Sequence, residues 1–502
     1  MRRKITIVGG GTAGAIAACY LKSTWGPTVD IEVIYDHKNP SIGVGESLTP
    51  SIFRFLNFCK INKEVLIRKA NATMKIGLKF KNWLNDGKSY YHAFDHYSVV
   101  SSDPAINQYA DFNLTAAYDI IQGTYDLDRM YSGYYMDKCV LPDTKAKFMG
   151  LAMHIDATIL NEVLLRQLGF NVTVIDDVVK DVIVKDNNIE GLVLEKKGKV
   201  TSDFYIDASG FSAILMSKLK NTWIDKTDWL PLDRFIPNPI PTDFAKLPPY
   251  TTSEATENGW ILQVPLQHRW GTGYLYCSEF TSDEEAYAKF HLWTKKNHKK
   301  QLSSNPKILK FKSGYWKDLW VGNCLAIGLA SSFAEPLEAT NIHQAIDQVS
   351  RFGLVYEFNK NEWDRKSYNT WARRILDNLY LYLRFCYTTG RTDSKFWNYM
   401  TNNTPEEVAL LDEKCKNSFL TYADIDPREG IFSYVNFTAV AVGLQKPNKQ
   451  KIMNHLIEKN RINFAKGLSE KLATAKAAAQ DSYLVDHKQY IDEILNTVAF
   501  NL

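Results

Sequence analysis

Residues 4–22, KITIVGGGTAGAIAACYLK, open with a run rich in β-branched side chains, Lys4 to Val8, followed at once by Gly9-x-Gly11-x-x-Gly14 and an alanine-rich stretch, Ala15 to Lys22. This order predicts a strand, a tight glycine turn and a helix. Glycines keep such a turn tight, let backbone approach a pyrophosphate closely, and set its negative charge at a helix N-terminus. A second strand is expected over Asp30 to Tyr35. It ends at Asp36, about 20 residues beyond the last glycine, where an acid reaches ribose hydroxyls. The opening reads as the βαβ start of a dinucleotide-binding fold, with Gly9, Gly11, Thr12, Ala13, Gly14 and Asp36 as cofactor contacts.

Working outward, Tyr205-Ile206-Asp207-Ala208-Ser209-Gly210 is again a strand running into small residues, and Val321 to Gly328 is a third. Backbone can approach a ligand closely at such turns. Three of them favour FAD over NAD and add Asp207, Gly210 and Gly328 to the cofactor set. His154-Ile155-Asp156 opens a periodic helix to about Leu168, and strands follow at Val172 to Ile175 and Val179 to Leu194. Residues 225–310 alternate strands with Pro-rich loops, which suggests an inserted sheet centred on Trp260 to Pro265. A helix starts near Ile342, and the chain is mainly helical after about residue 360.

The expected class is α/β with α+β insertions: a Rossmann-like FAD-binding fold with an inserted β-sheet and a mainly helical C-terminal region. Residues 1–80, 150–225 and 310–360 form an interleaved FAD-binding module. Residues 81–149 and 226–309 supply substrate-side insertions and sheet, and 361–502 the helical C-terminal region.

Composition narrows the function classes. The 502 residues are 45% hydrophobic and 23% charged, as in ordinary globular proteins. A net charge of +4 without a long run of like charges argues against a nucleic-acid partner. Seven widely spaced cysteines without a C-x-x-C pair fit a reducing cytoplasmic setting and no metal site. Arg2, Arg3 and Lys4 imitate a signal peptide, but the apolar stretch behind them is broken by glycines. No run of about 18 apolar residues suggests a membrane span.

Two further segments go beyond a flavin fold: Gly43-Val44-Gly45-Glu46-Ser47 with Lys75 behind it, and Phe333-Ala334-Glu335-Pro336-Leu337-Glu338-Ala339-Thr340. With Gly9 to Gly14, Asn71 to Thr73, Tyr91-His92, His154, Asp156, Ile206 to Phe211, Gly328 to Ile342 and Arg391 to Trp397, they resemble flavin-dependent halogenases of the tryptophan-halogenase type. The resemblance spans most of the first 400 residues.

It implies that FADH2 and O2 give a flavin hydroperoxide, that halide attacks it, and that hypohalous acid reaches a lysine beside an electron-rich aromatic of the indole or phenol type. Lys75 matches that lysine, and Glu338 matches the residue that orients the oxidant and takes the ring proton. Gly43, Val44, Gly45, Glu46 and Leu337 join the cofactor set, Thr340 and Asn341 match the halide site, and His92 and Phe94 match substrate-lining positions. Reduced flavin is expected from a separate reductase, and a homodimer is allowed. Where the family has Ser-Thr-Gly, this chain has Ala339-Thr340-Asn341, with Asn tolerating a left-handed turn; the lost hydroxyl favours bromide or iodide over chloride. The W-x-W-x-I-P signature becomes Trp260-Ile261-Leu262-Gln263-Val264-Pro265, and Tyr35 replaces the family's Glu. The alternatives are a flavin monooxygenase on the same fold or a non-catalytic FAD-binding protein.

Overall fold

The computed structural model describes residues 2–38, 46–94, 136–142, 151–168, 172–302, 307–356, 361–426, 428, 430–467, 469–470 and 484–497. Gly43, Val44 and Gly45 lie outside the described residues.

The strand Arg3–Val8 sits inside a six-stranded sheet, in the spatial order Trp320–Val321, Cys324–Ala326, Phe204–Asp207, Arg3–Val8, Val29–Tyr35, Val172–Asp176. All neighbours are parallel except the first two, which form a hairpin. Strands of a parallel sheet are covered on both faces, and Ile5 to Val8 are buried without alternation. One cover is the helix Thr12–Trp25, buried continuously from Gly14 to Leu21. Its alanines let it close against the helices Thr340–Val355 and Ala157–Arg166.

Two expected strands divide. Val179 to Leu194 is a hairpin of Val179–Lys185 and Asn188–Leu194, because Asp186 and Asn187 both take positive φ, the two-residue turn that fits strand twist. Val321 to Gly328 breaks at Gly322, φ 53°, and continues only as Cys324–Ala326.

The inserted sheet has seven strands, ordered Leu309–Lys310, Arg234–Pro241, Arg269–Tyr276, Gly259–Pro265, Tyr250–Ala255, Gly77–Lys81, Ser89–Ala93. Gly259–Pro265 is its central strand. Tyr250–Ala255 and Gly77–Lys81 run parallel, so an early segment completes a sheet whose other strands come mostly from 234–310. A small sheet is formed by Glu46–Ser47, Ala152–Ile155 and Thr73–Lys75, the last of which lies directly ahead of Gly77 in sequence. After residue 360 come the helices Asn361–Phe385, Lys395–Asn402, Glu406–Asn417, Tyr434–Gly443, Lys449–Glu458 and His487–Asn496. One hydrophobic cluster runs through the FAD-type sheet, the seven-stranded sheet and the helical region, from Ile5 and Phe204 to Trp260, Leu383 and Val435.

Candidate active site

The glycine turn fits a dinucleotide. A Cβ on Gly14 would stand 1.9 Å from the Gly9 carbonyl oxygen, so helix and turn touch backbone to backbone. The helix behind it carries no side-chain cap and no acid in its first turn, leaving its amides and positive dipole end to an anion. Gly328, at φ 56°, comes against Ala13, whose Cβ would lie 2.7 Å from an added Cβ. The Gly328 amide is fixed by Gln348 Oε1 at 2.8 Å. Gly210 has φ 68°, open to glycine and strained for other residues.

Other residues expected at the cofactor are less direct. Asp207 is buried and its carboxylate is engaged inside the protein: Oδ1 accepts from the Ser209 amide and hydroxyl, Oδ2 from the amides of Leu215 and Met216. It shapes the turn that presents Gly210. Asp36 Oδ1 accepts from the Lys38 amide at 2.9 Å. The Tyr35 ring covers Gly10, and its hydroxyl pairs with His37 Nε2 at 2.8 Å. Desolvation pushes the Glu46 carboxyl up to about 7. Leu337 is fully buried.

Lys75 ends the short strand Thr73–Lys75 and is completely buried. Its Nζ donates to the Leu48 carbonyl at 3.0 Å and lies 4.7 Å from the Phe94 ring centroid. Burial lowers its pKa to about 7, against the opposing pull of the Glu338 charge. An amine so placed divides between charged donor and free nucleophile near neutral pH.

Glu338 closes the turn Pro336–Glu338 and is also buried. Its oxygens lie 2.9 and 3.0 Å from His92 Nδ1, and Oε1 accepts from the Tyr382 hydroxyl at 3.1 Å. The His92 tautomer follows from the next partner. Asn436 Oδ1 accepts from the Ser433 amide and hydroxyl, so its amide nitrogen faces His92 Nε2 at 3.0 Å. Nε2 therefore accepts and Nδ1–H donates to Glu338. Tyr382 is held by a stack on Phe432, centroids 3.7 Å apart. His92, expected from the sequence at the substrate, is hydrogen-bonded to Glu338, and Phe94 lies on the Lys75 side.

Tyr382 and Asn436 were not singled out from sequence. They sit in aromatic and apolar helical stretches that read as core, and no spacing signal marks them. Glu335, buried three residues before Glu338, accepts from the Tyr387 hydroxyl, and burial raises its carboxyl to about 7.

The left-handed residue of the halide-type turn is Ala339, φ 59° and ψ 38°, whereas Asn341 was expected to tolerate that backbone. The helix Thr340–Val355 has already begun at Thr340, so Asn341 takes helical angles and the left-handed backbone falls two residues earlier. No side chain caps this helix. Thr340 Oγ1 and Asn341 Oδ1 are buried with no partner among the described residues.

A buried relay backs Lys75. The Thr73 hydroxyl donates to the Pro265 carbonyl at 2.7 Å, so Thr73 Oγ1 accepts from His154 Nδ1–H at 3.0 Å. His154 Nε2 accepts from Thr251, whose oxygen is 2.6 Å from the Ser47 hydroxyl. Burial holds His154 well below its usual pKa, with the Lys75 charge acting in the same direction.

The chain's sequence and fold both match known proteins. The sequence profile described as tryptophan halogenase matches residues 4–459.

This chain belongs to the tryptophan halogenase family.

Among its relatives, tryptophan 6-halogenase SttH of Streptomyces toxytricini is 28% identical over 466 residues, covering 86% of each chain. The 7-chloro-L-tryptophan 6-halogenase KtzR of Kutzneria is 30% identical, covering 81% of this chain and 83% of its own. In fold, the tryptophan halogenase of Shewanella frigidimarina superposes with a TM-score of 0.88 over 98% of both chains at 22% identity. A flavin-dependent halogenase from Xanthomonas campestris gives 0.85 over 99% of both at 23% identity. As a member, this halogenase is a flavin-dependent enzyme that uses FADH2, O2 and halide to halogenate an aromatic substrate. Among the described residues, no helix is long and apolar enough to cross a membrane.

Proposed function

We propose that this halogenase delivers an oxidised halogen through Lys75 to an electron-rich aromatic of the indole or phenol type, with Glu338 orienting the oxidant and taking the ring proton. The observation that carries the reading is Lys75: completely buried, held by the Leu48 carbonyl over the Phe94 ring, and with its amine near neutral.

The flavin, when bound, supplies the oxidation of halide to hypohalous acid. Gly9, Gly11, Thr12, Ala13, Gly14, Asp36, Gly210 and Gly328, with the strand end at Asp207 and the buried Leu337, are the residues that would hold it. The uncapped helix end at Thr340 and Asn341, with two buried oxygens lacking partners, is the proposed halide site. Ala339 gives it a less polar rim than serine would, which favours bromide or iodide, the halides that lose water more readily.

From there the chain's own groups act. The Lys75 amine either donates a hydrogen bond to hypohalous acid or takes its halogen, and the substrate ring receives the halogen beside Phe94. Glu338 is held as an acceptor by His92 and Tyr382, so its carboxylate stands ready for the proton released as the ring regains aromaticity. His92, locked by Asn436, keeps that carboxylate oriented.

A separate flavin reductase supplies FADH2. Homodimerisation, a cytoplasmic location and the three-part division into FAD module, substrate-side sheet and helical C-terminal region complete the proposal.

The test is mass spectrometry of reactions with a flavin reductase, NADH, O2, a panel of indoles and phenols, and chloride, bromide or iodide in turn. Halogenated product should vanish in Lys75→Ala, and bromide should turn over faster than chloride. Glu338→Gln should lower turnover by about 100-fold or more. Hydroxylated product, or halogenation untouched by Lys75→Ala, would refute the lysine-delivery reading; a strong chloride preference would refute the halide assignment.

A further inference from the structure

The strand that carries Lys75 is an edge. In the order Glu46–Ser47, Ala152–Ile155, Thr73–Lys75, its outer side has no strand partner among the described residues. Immediately after it the chain joins the seven-stranded sheet: Gly77 pairs with Tyr250, and the Ile76 amide donates to the Pro249 carbonyl at 2.8 Å. Continuing that pairing back toward Lys75 is blocked on the other strand, because Pro248 and Pro249 have no N–H.

The gap is filled by His487, the first residue of the helix His487–Asn496. Its Nε2 accepts from the Met74 amide at 2.9 Å, and its Nδ1–H donates to the Leu247 carbonyl at 2.9 Å. The imidazole is completely buried and stands as a spacer between two backbones. A neutral imidazole offers one donor and one acceptor, which is what a carbonyl on one side and an amide on the other require. Burial lowers its pKa to about 4, so it stays neutral at pH 7.

The segment is docked from several sides. Leu484–Asp486 pairs antiparallel with Val140–Pro142, the His487 amide donates to the Cys139 carbonyl at 3.0 Å, and Arg68 reaches the Leu495 carbonyl at 3.3 Å. All of it lies beyond residue 459, where the family profile stops.

We propose that His487 is a positioning residue for the halogenation: by bridging the Met74 amide and the Leu247 carbonyl, it sets the backbone from which Lys75 reaches the Leu48 carbonyl and the Phe94 ring. This rests on the lysine-delivery reading above. Among the described residues, His487 is hydrogen-bonded to none of those proposed to hold flavin or halide, so halide oxidation proceeds without it. What fails without it is transfer of the halogen to substrate, and hypohalous acid escapes.

The test compares full-length His487→Gln, His487→Met and Lys75→Ala, with reductase, NADH, O2, bromide and an aromatic that the wild type halogenates. Released hypobromous acid is trapped by a 1,3-diketone and product is counted separately. Gln and Met are of similar size and reach, but only Gln has an oxygen to accept from Met74. His487→Met should lose up to about 100-fold in product, the cost of an ångström-scale misplacement, while total bromide oxidised per NADH stays at the wild-type level. His487→Gln should recover most of the product yield. The proposal is overturned if Met keeps the wild-type ratio of product to trapped acid, if Gln and Met behave alike, or if Met fails to fold while Gln folds, which makes His487 a stability residue alone. Product surviving in Lys75→Ala instead sinks the lysine reading and is separable, because it does not depend on residue 487.

Discussion

Burying Lys75 costs folding stability, and its pKa fixes how that cost varies with pH. Its folded value is about 7 against an ordinary 10.5. Below pH 7 both folded and unfolded chains hold the proton, and the folded state carries the whole desolvation cost. Between pH 7 and 10.5 the unfolded chain binds more protons, so stability rises with pH. Lys75→Met should therefore raise Tm, most below pH 7 and least near pH 10.5, in thermal denaturation at several pH values; a lower Tm at pH 6 would refute the account. If the free amine takes the halogen, product formation rises with pH through about 7, and a falling profile assigns the ammonium as donor. Ala339 is a second residue under load. Its left-handed φ of 59° costs a non-glycine residue about 1 kcal/mol. Ala339→Gly should recover about that much, read as a shift of the denaturation midpoint at constant slope.

At the scale of elements, the glycine turn and its helix act as one unit. The 1.9 Å approach of a Gly14 Cβ to the Gly9 carbonyl leaves no flexible atom to yield, so Gly14→Ala must push the helix Thr12–Trp25 off the turn. FAD affinity should fall at least tenfold, about 1.4 kcal/mol, in a flavin fluorescence titration; an unchanged Kd would show that the helix end does not hold the cofactor. Elements were legible in the sequence where one local rule governed them. Strand, glycine turn and helix at residues 4–22 obey periodicity and glycine sterics, and the structure has Arg3–Val8 and Thr12–Trp25 there. The breaks inside 179–194 and 321–328 were missed because Asp186-Asn187 and Gly322 punctuate apolar runs that read as continuous.

At the scale of the molecule, the continuous hydrophobic cluster joining the six-stranded sheet, the seven-stranded sheet and the C-terminal helices predicts cooperative unfolding. FAD at about 100 times its Kd should move a single calorimetric transition by about 2.7 kcal/mol of added stability. Two transitions, only one of them shifted by FAD, would mean that the flavin module and the catalytic sheet unfold separately. The proposed site draws on that joint: Lys75 precedes the strand Gly77–Lys81 of the seven-stranded sheet, Glu338 closes the turn Pro336–Glu338, and Tyr382 and Asn436 come from the helices Asn361–Phe385 and Tyr434–Gly443.

The sequence alone determined the FAD-type fold and named Lys75 and Glu338, because close backbone approach leaves a glycine signature and the two segments carry family motifs. It could not place the partners of those residues. His92 turning to Glu338, Asn436 locking its tautomer, Tyr382 donating from a helix and His487 bridging Met74 to Leu247 involve residues 44 to 413 positions apart, of ordinary type in ordinary stretches. Hydrogen-bond partners of this sort are chosen by where buried donors and acceptors meet once the sheets and helices have packed, and no local pattern records that meeting.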